Sequence, residues 1–99
     1  MNKLQMQERA GLLKALGEYN RLSLVCKLCD CATPQKAMCL YECCGVDASG
    51  VSRHLKQLSQ EGIVSVKKSG RERNYALNPS FVASRLRFLA DKIDSVKEE

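Results

Sequence analysis

The sequence contains one histidine, His54, and no stretch approaching the ~18 consecutive apolar residues of a membrane span. Its start does not combine a basic segment with an unbroken apolar core of signal-peptide length. Together these absences predict a protein without a membrane partner, held in the cytosol, where thiols stay reduced. Six cysteines in that compartment are ill suited to structural disulfides and point instead to metal binding or redox sensing. A cysteine is also a competent small apolar core filler, but that explanation does not fit all six, clustered between positions 26 and 44. With histidine scarce, a metal falls to sulfur. Soft thiolates favour Cu(I), Cd, Hg or trivalent arsenic over oxygen-loving cations, and zinc fits a four-thiolate site.

What is abundant is positive charge. Sixteen Lys+Arg against 11 Asp+Glu give the 99-residue chain a formal charge of +5 and a pI near 9.0, the balance of a protein that meets a polyanion. The length predicts one domain over residues 1–99. Such a small domain buries roughly two-thirds of its unfolded surface and gains from dimerisation.

Periodicity organises the chain around residues 40–58, Leu-Tyr-Glu-Cys-Cys-Gly-Val-Asp-Ala-Ser-Gly-Val-Ser-Arg-His-Leu-Lys-Gln-Leu. One helix closes at Gly45, Gly45-Val46-Asp47 turns, and Asp47 caps a second helix over residues 48–61. In that helix Val51, Leu55 and Leu58 recur at i, i+4 and i+7 and face inward. Ser49, Ser52, Arg53, Lys56 and Gln57 are left on a polar face whose longer side chains reach base edges in a major groove. Read alone, such a helix is an ordinary amphipathic one; the helix and turn before it make it a recognition helix.

Before this motif the pattern predicts a helix over 3–17 ending at Gly17, carrying Met6, Leu12, Leu13 and Leu16. Another runs from about Asn20 to Cys29, burying Leu22, Val25 and Leu28 or Cys29. A third runs over 34–44, with Thr33 as its cap and Pro34 in its first position. After Gly62 the period changes to two. Val64 and Val66 are answered by Tyr75 and Leu77 across Ser69-Gly70, a hairpin over 63–77 whose tip carries Lys67, Lys68, Arg71 and Arg73. Directly after a helix-turn-helix, this basic tip reads as a wing lying on phosphate. Asn78-Pro79 opens a last helix over 79–96, with Val82, Leu86, Leu89, Ile93 and Val96 on a heptad seam. That seam and the first helix are expected to form a two-fold dimer interface, which a palindromic DNA site rewards. The expected fold is therefore mainly α with a β-hairpin wing: four helices, two strands and a fifth helix.

Leu16-Gly17, Arg21-Leu22, Val51-Ser-Arg-His-Leu-Lys-Gln-Leu58 and Gly62-Ile-Val64 leading into a basic hairpin resemble the ArsR/SmtB family of winged-helix, metal-responsive repressors, across about residues 8–90. The resemblance implies a homodimer that binds operator double-stranded DNA when unliganded and releases it when an inducer binds. It places Ser49, Ser52, Arg53, His54 and Lys56 on the DNA-contacting helix and Arg71 and Arg73 on the wing, where the basic tip adds Lys68, and it makes His54 a poor metal ligand. Two departures stand out. Residues 79–99 lack histidine, so the family's zinc site on the last helix is absent, and Lys36 and Met38 occupy the positions of the usual Cys-x-Cys.

The sensing thiols must therefore be a different set. Cys26-x-x-Cys29-x-Cys31 and Cys39-x-x-x-Cys43-Cys44 form two groups; Cys26 and Cys29, three apart, share one helical face, and Cys39 and Cys43, four apart, share another. Cys29, Cys31, Cys39 and Cys43 are the candidate ligands, with Cys31 and Cys39 the first choices. In the family Cys44 replaces a buried Leu and Cys43 an Ala, so either also serves as packing. The likeness favours trivalent arsenic or antimony, for which three sulfurs suffice. A redox alternative closes a disulfide at Cys26–Cys29 or Cys31–Cys39. Two further classes are a small thiol oxidoreductase on Cys26-x-x-Cys29, which lacks the strand that should precede such a motif, and a winged helix that binds protein.

Overall fold

A computed structural model describes residues 1–31, 33–41 and 48–98. Element order is α1 (Lys3–Leu16), α2 (Tyr19–Cys29), β1 (Gln35–Lys36), α3 (Ala37–Tyr41), α4 (Ala48–Gln60), β2 (Val64–Ser69), β3 (Glu72–Leu77) and α5 (Pro79–Asp94). The three strands form one antiparallel sheet in the order β1-β3-β2. This is the expected winged helix-turn-helix with one strand more than the sequence indicated. The expected turn Gly45-Val46-Asp47, and Cys43 and Cys44, lie outside the described residues.

The apolar stripe of α4 organises the core. Val51, Leu55 and Leu58 are fully buried against Leu12 of α1, Leu24 of α2, Leu40 of α3 and Ile63. Burying one such side chain contributes about 1.5–3 kcal/mol, so this stripe fixes the rotation of α4 about its axis. Its opposite face, and with it Ser52, Arg53 and Lys56, is thereby turned to solvent. The helix stops because Gly62 adopts φ +78°, and a Cβ there would also lie 2.9 Å from the Phe81 ring. Only glycine meets both conditions.

The hairpin has the register its alternation predicts, Val64 opposite Leu77 and Val66 opposite Tyr75. Ser69 pairs with Glu72, leaving Gly70-Arg71 as a two-residue turn, and Gly70 supplies the positive φ of 63° at its first position, as a type II′ hairpin turn requires.

One helix start differs from expectation, and at two others the start is as expected but the capping is not as the sequence suggests. The helix expected over 34–44 begins only at Ala37, because Gln35 and Lys36 are drawn into the sheet opposite Tyr75 and Asn74. Pro34 does not open that helix: its ring favours extended backbone in the residue before it, and the chain enters a strand. The second helix starts at Tyr19, capped by the Glu18 carboxylate, which accepts from the Arg21 N–H. It buries Leu24 with Val25 and Leu28, while Leu22, Cys26 and Cys29 face out. Cys29 is therefore not a core filler. Pro79 does open α5, but the Asn78 side chain does not cap it; its amide donates to the Gly62 carbonyl at 2.9 Å and ties the far end of the wing to the end of α4.

Helices α1 and α5 lie together. Arg85 pairs with Glu8 and stacks 3.6 Å over the Phe81 ring, and Arg9 lies 5.3 Å over Phe88. Leu4 (73% exposed), Leu13, Leu86 and Ile93 (72%) remain open. The radius of gyration is 15.1 Å, against about 13 Å for a compact chain of 100 residues. Single-chain packing leaves the apolar faces of these two helices uncovered.

Candidate nucleic-acid interface and thiol clefts

A groove of about 550 Å³ runs between α4 and the wing. From the helix come Ser52, Arg53 and Lys56, and from the strands Lys68 and Arg73. Its base is the buried Tyr75 ring. Ser52 and Arg73 also border a neighbouring cleft, where Arg71 joins them. Six side chains far apart in sequence thus meet along one surface, five of them able to donate to phosphate or base edges as cations or guanidinium groups. Ser49 is exposed in the first turn of the same helix.

The wing carries one opposing charge, Glu72, and the fold neutralises it. Lys36 on β1 holds its carboxylate at 2.9 Å, and the hydrogen bond to Glu72 pushes the Lys36 ammonium above its ordinary range. Arg71 and Arg73 therefore act beside a compensated carboxylate. Nothing local to Lys36 or Glu72 announces this pair, because it depends on a strand two residues long.

His54 and Gln57 lie outside the groove, on the flank of α4 that faces α2. Gln57 accepts a hydrogen bond from the Arg21 guanidinium, whose Nε also donates to the Ala15 carbonyl at 2.7 Å. His54 Nδ1 is buried without a hydrogen-bond partner among the described residues, 3.9 Å from the Glu18 carboxylate. On a helical wheel these two positions are at the edge of the polar arc, where residues at the start of α2 reach them, with His54 half-buried and Gln57 exposed. Arg21 and Glu18 are the functional neighbours that local pattern reading missed: they bind the recognition helix to α1 and α2.

Glu18 is held below the usual carboxylate range, first by the Arg21 backbone N–H, with the Asn20 N–H and the His54 charge adding to it against partial burial. A depressed folded pKa contributes stability that is present above the ordinary value of 4.5 and is lost as pH falls through the folded value. Glu18→Gln should therefore lower the urea midpoint near neutral pH and flatten its decline below about pH 4.5, readable by circular dichroism across a pH series.

The thiols occupy separate places. Cys29 and Cys31 open on one cleft of about 380 Å³ between the end of α2, β3 and the start of α5, and the Cys31 thiol donates to the Lys27 carbonyl at 3.2 Å. Cys39 opens instead on the cleft beside Ser52 and Arg71. Cys26 is exposed on α2. Among the described residues no three His, Cys, Asp or Glu side chains are grouped to hold a metal ion.

No family model and no curated protein sequence gives a significant match to the chain. Solved structures do. A crystal structure of a possible transcriptional regulator for arsenical resistance is 32% identical, with TM-score 0.71, over 83% of this chain and 82% of that one. The chain belongs to the ArsR family of winged-helix transcriptional regulators. An ArsR-like regulator from Rhodococcus sp. RHA1 matches at 26% identity and TM-score 0.76 over 91% of this chain and 82% of that one. The homodimeric winged helix-turn-helix DNA-binding domain Mb0332 from Mycobacterium bovis, 20% identical, shares the fold at TM-score 0.70 over 94% of this chain and 84% of its own. As an ArsR-family regulator the protein is not an enzyme, and the thiol oxidoreductase reading is set aside. Among the described residues no helix is long and apolar enough to cross a membrane.

Proposed function

We propose that this ArsR-family regulator is a cytoplasmic homodimeric repressor that binds operator DNA and leaves it when a soft, thiophilic inducer engages its cysteines. The observation that carries the reading is the basic groove between α4 and the wing. Arg53 and Lys56 enter the major groove, Ser49 and Ser52 sit beside its phosphates, and Lys68, Arg71 and Arg73 track the backbone. His54 and Gln57 hold the helix against α2. The open apolar faces of α1 and α5 meet their counterparts in a second copy, setting the two recognition helices about one DNA turn apart.

The inducer thiols are drawn from Cys29, Cys31, Cys39 and Cys43. Trivalent arsenic or antimony is the favoured occupant, ahead of Cd, Hg, Cu(I) or Zn. Cys29 and Cys31 lead, because they share one cleft.

Fluorescence anisotropy with DNA from upstream of the protein's own gene tests this reading. A dimer making about six phosphate contacts should lose roughly 10³-fold in affinity between 50 and 200 mM salt. Weak binding with no salt dependence would instead support a protein-binding winged helix. Under reducing conditions, release by an As(III) compound should disappear in Cys29→Ser or Cys31→Ser while DNA affinity is unchanged; full release from both variants would move the sensor to Cys39 and Cys43.

A further inference from the structure

We infer that Arg21 is a positioning residue for DNA binding: its guanidinium clips the end of α1 to the flank of α4 and so sets the separation of the two recognition helices in the dimer. The inference rests on the regulator reading above and adds to it the residue that fixes half-site spacing.

An α-helix ends with carbonyls that no intrahelical N–H reaches. At the end of α1 the Gly17 N–H returns to the Leu13 carbonyl. The next two carbonyls accept from Arg21 instead: Nε reaches the Ala15 oxygen at 2.7 Å, and Nη2 the Lys14 oxygen at 3.4 Å. The remaining arm, Nη1, donates to the side-chain oxygen of Gln57 on α4. Arg21 itself belongs to α2, where the Glu18 carboxylate accepts from its backbone N–H at 2.9 Å. One planar group thus joins three helices. Around it a cleft of about 210 Å³ opens between Lys14 and Ala15 on one side and Gln57 and Gln60 on the other, and the guanidinium bonds to both sides.

The apolar core does not supply this constraint. Val51, Leu55 and Leu58 are fully buried and fix the rotation of α4, but burial is non-directional and tolerates small changes of tilt. Charge-assisted hydrogen bonds from a rigid planar group are directional and do not. Gln57 is exposed, so its contact adds little to the core and acts on direction. The sequence places Gln57 among the base readers, yet its oxygen is taken by Arg21.

The lever is long enough to matter. Gln57 and Ser49 are eight positions apart, or about 12 Å along the helix, so a tilt of about 10° at Gln57 displaces Ser49 by about 2 Å. Two-fold symmetry doubles this to about 4 Å between the copies, more than the ~3.4 Å rise of one base pair. Loss of the clip should therefore blur the choice of half-site spacing and leave each half-site's own affinity alone.

The test uses the full chain, kept reduced with a phosphine. Its probes are duplexes of the segment protected upstream of the protein's own gene, with the centre unchanged or one base pair longer or shorter, and a duplex with one half-site. The parent should prefer the unchanged centre. Arg21→Lys, which keeps the charge and loses the planar group, should bind that duplex about tenfold more weakly, show little preference among the three spacings, and keep its affinity for the single half-site. Gln57→Leu should do the same, the double variant should add nothing further, and Gln57→Glu, which retains an acceptor, should keep the spacing preference. By NMR the Arg21 Nη protons of the free parent should show hindered rotation that is released in Gln57→Leu. An unchanged spacing profile in both single variants, additive losses, or free rotation in the parent overturns the inference. So does a Gln57→Leu protein whose half-site affinity and base preference change while those of Arg21→Lys do not, since Gln57 would then read a base. Absence of DNA binding by the parent would overturn the regulator reading instead, and the NMR measurement would still decide whether the clip exists.

Discussion

Arg53→Ala is expected to cost operator affinity about 1–3 kcal/mol per half-site, a loss of roughly 5- to 150-fold, while leaving inducer binding unchanged. The reason is geometric. Arg53 leaves α4 on the face opposite Val51, Leu55 and Leu58, all fully buried, so it takes no part in the core and the variant should fold as the parent does. Its side chain lines the groove with Ser52, Lys56 and Arg73, away from the cleft of Cys29 and Cys31. A base-reading arginine and a phosphate-bound one are separable in the same titration. Loss of base contact should relax sequence preference, whereas loss of a phosphate contact, as expected for Lys68→Ala, should weaken all DNA alike and reduce the salt slope by about one unit. Unchanged affinity for the operator in Arg53→Ala would remove α4 from the major groove.

Ile93→Glu is expected to produce a monomer that folds but binds operator DNA at least about 100-fold more weakly than the parent, since two half-sites no longer act together. Ile93 is 72% exposed on α5, so a carboxylate there costs the isolated chain little. In a dimer it would be buried beside the partner's apolar face, where an unpaired charge is strongly unfavourable. Sedimentation velocity should report a single species of half the parent mass, and circular dichroism an unchanged helix content. A variant that stays dimeric would move the interface off α5. Leu86→Glu provides an independent check from a second position on the same helix.

Much of this arrangement was legible because it is local. The i, i+4, i+7 stripe set the rotation of α4, and the alternation of Val64, Val66, Tyr75 and Leu77 set the hairpin register that is observed. What escaped depends on partners distant in sequence. Gln35 and Lys36 have no strand period of their own and become a strand only by pairing with Tyr75 and Asn74. Arg21 and Gln57 are 36 residues apart, so nothing near either one marks Gln57 as facing another helix. Glu18 is a poor capping type by preference, and its use follows from the Arg21 N–H that it accepts. Asn78 had the composition of a cap but is used as a brace to Gly62. For the thiols, spacing identified faces of helices but not the clefts onto which they open.

Strand β3 serves both surfaces at once. Arg73 lines the groove against DNA, and Ala76 and Leu77 wall the thiol cleft. At about 3.3 Å per residue, Arg73 and Ala76 stand about 10 Å apart on a strand paired along its length with β2. A mutation that reshapes the cleft for a new inducer is thus made on the same short ladder that aims the wing. Descendants of this protein that change inducer should carry second substitutions near Arg71 and Arg73, and a sensor engineered from it would need its cleft and wing retuned together.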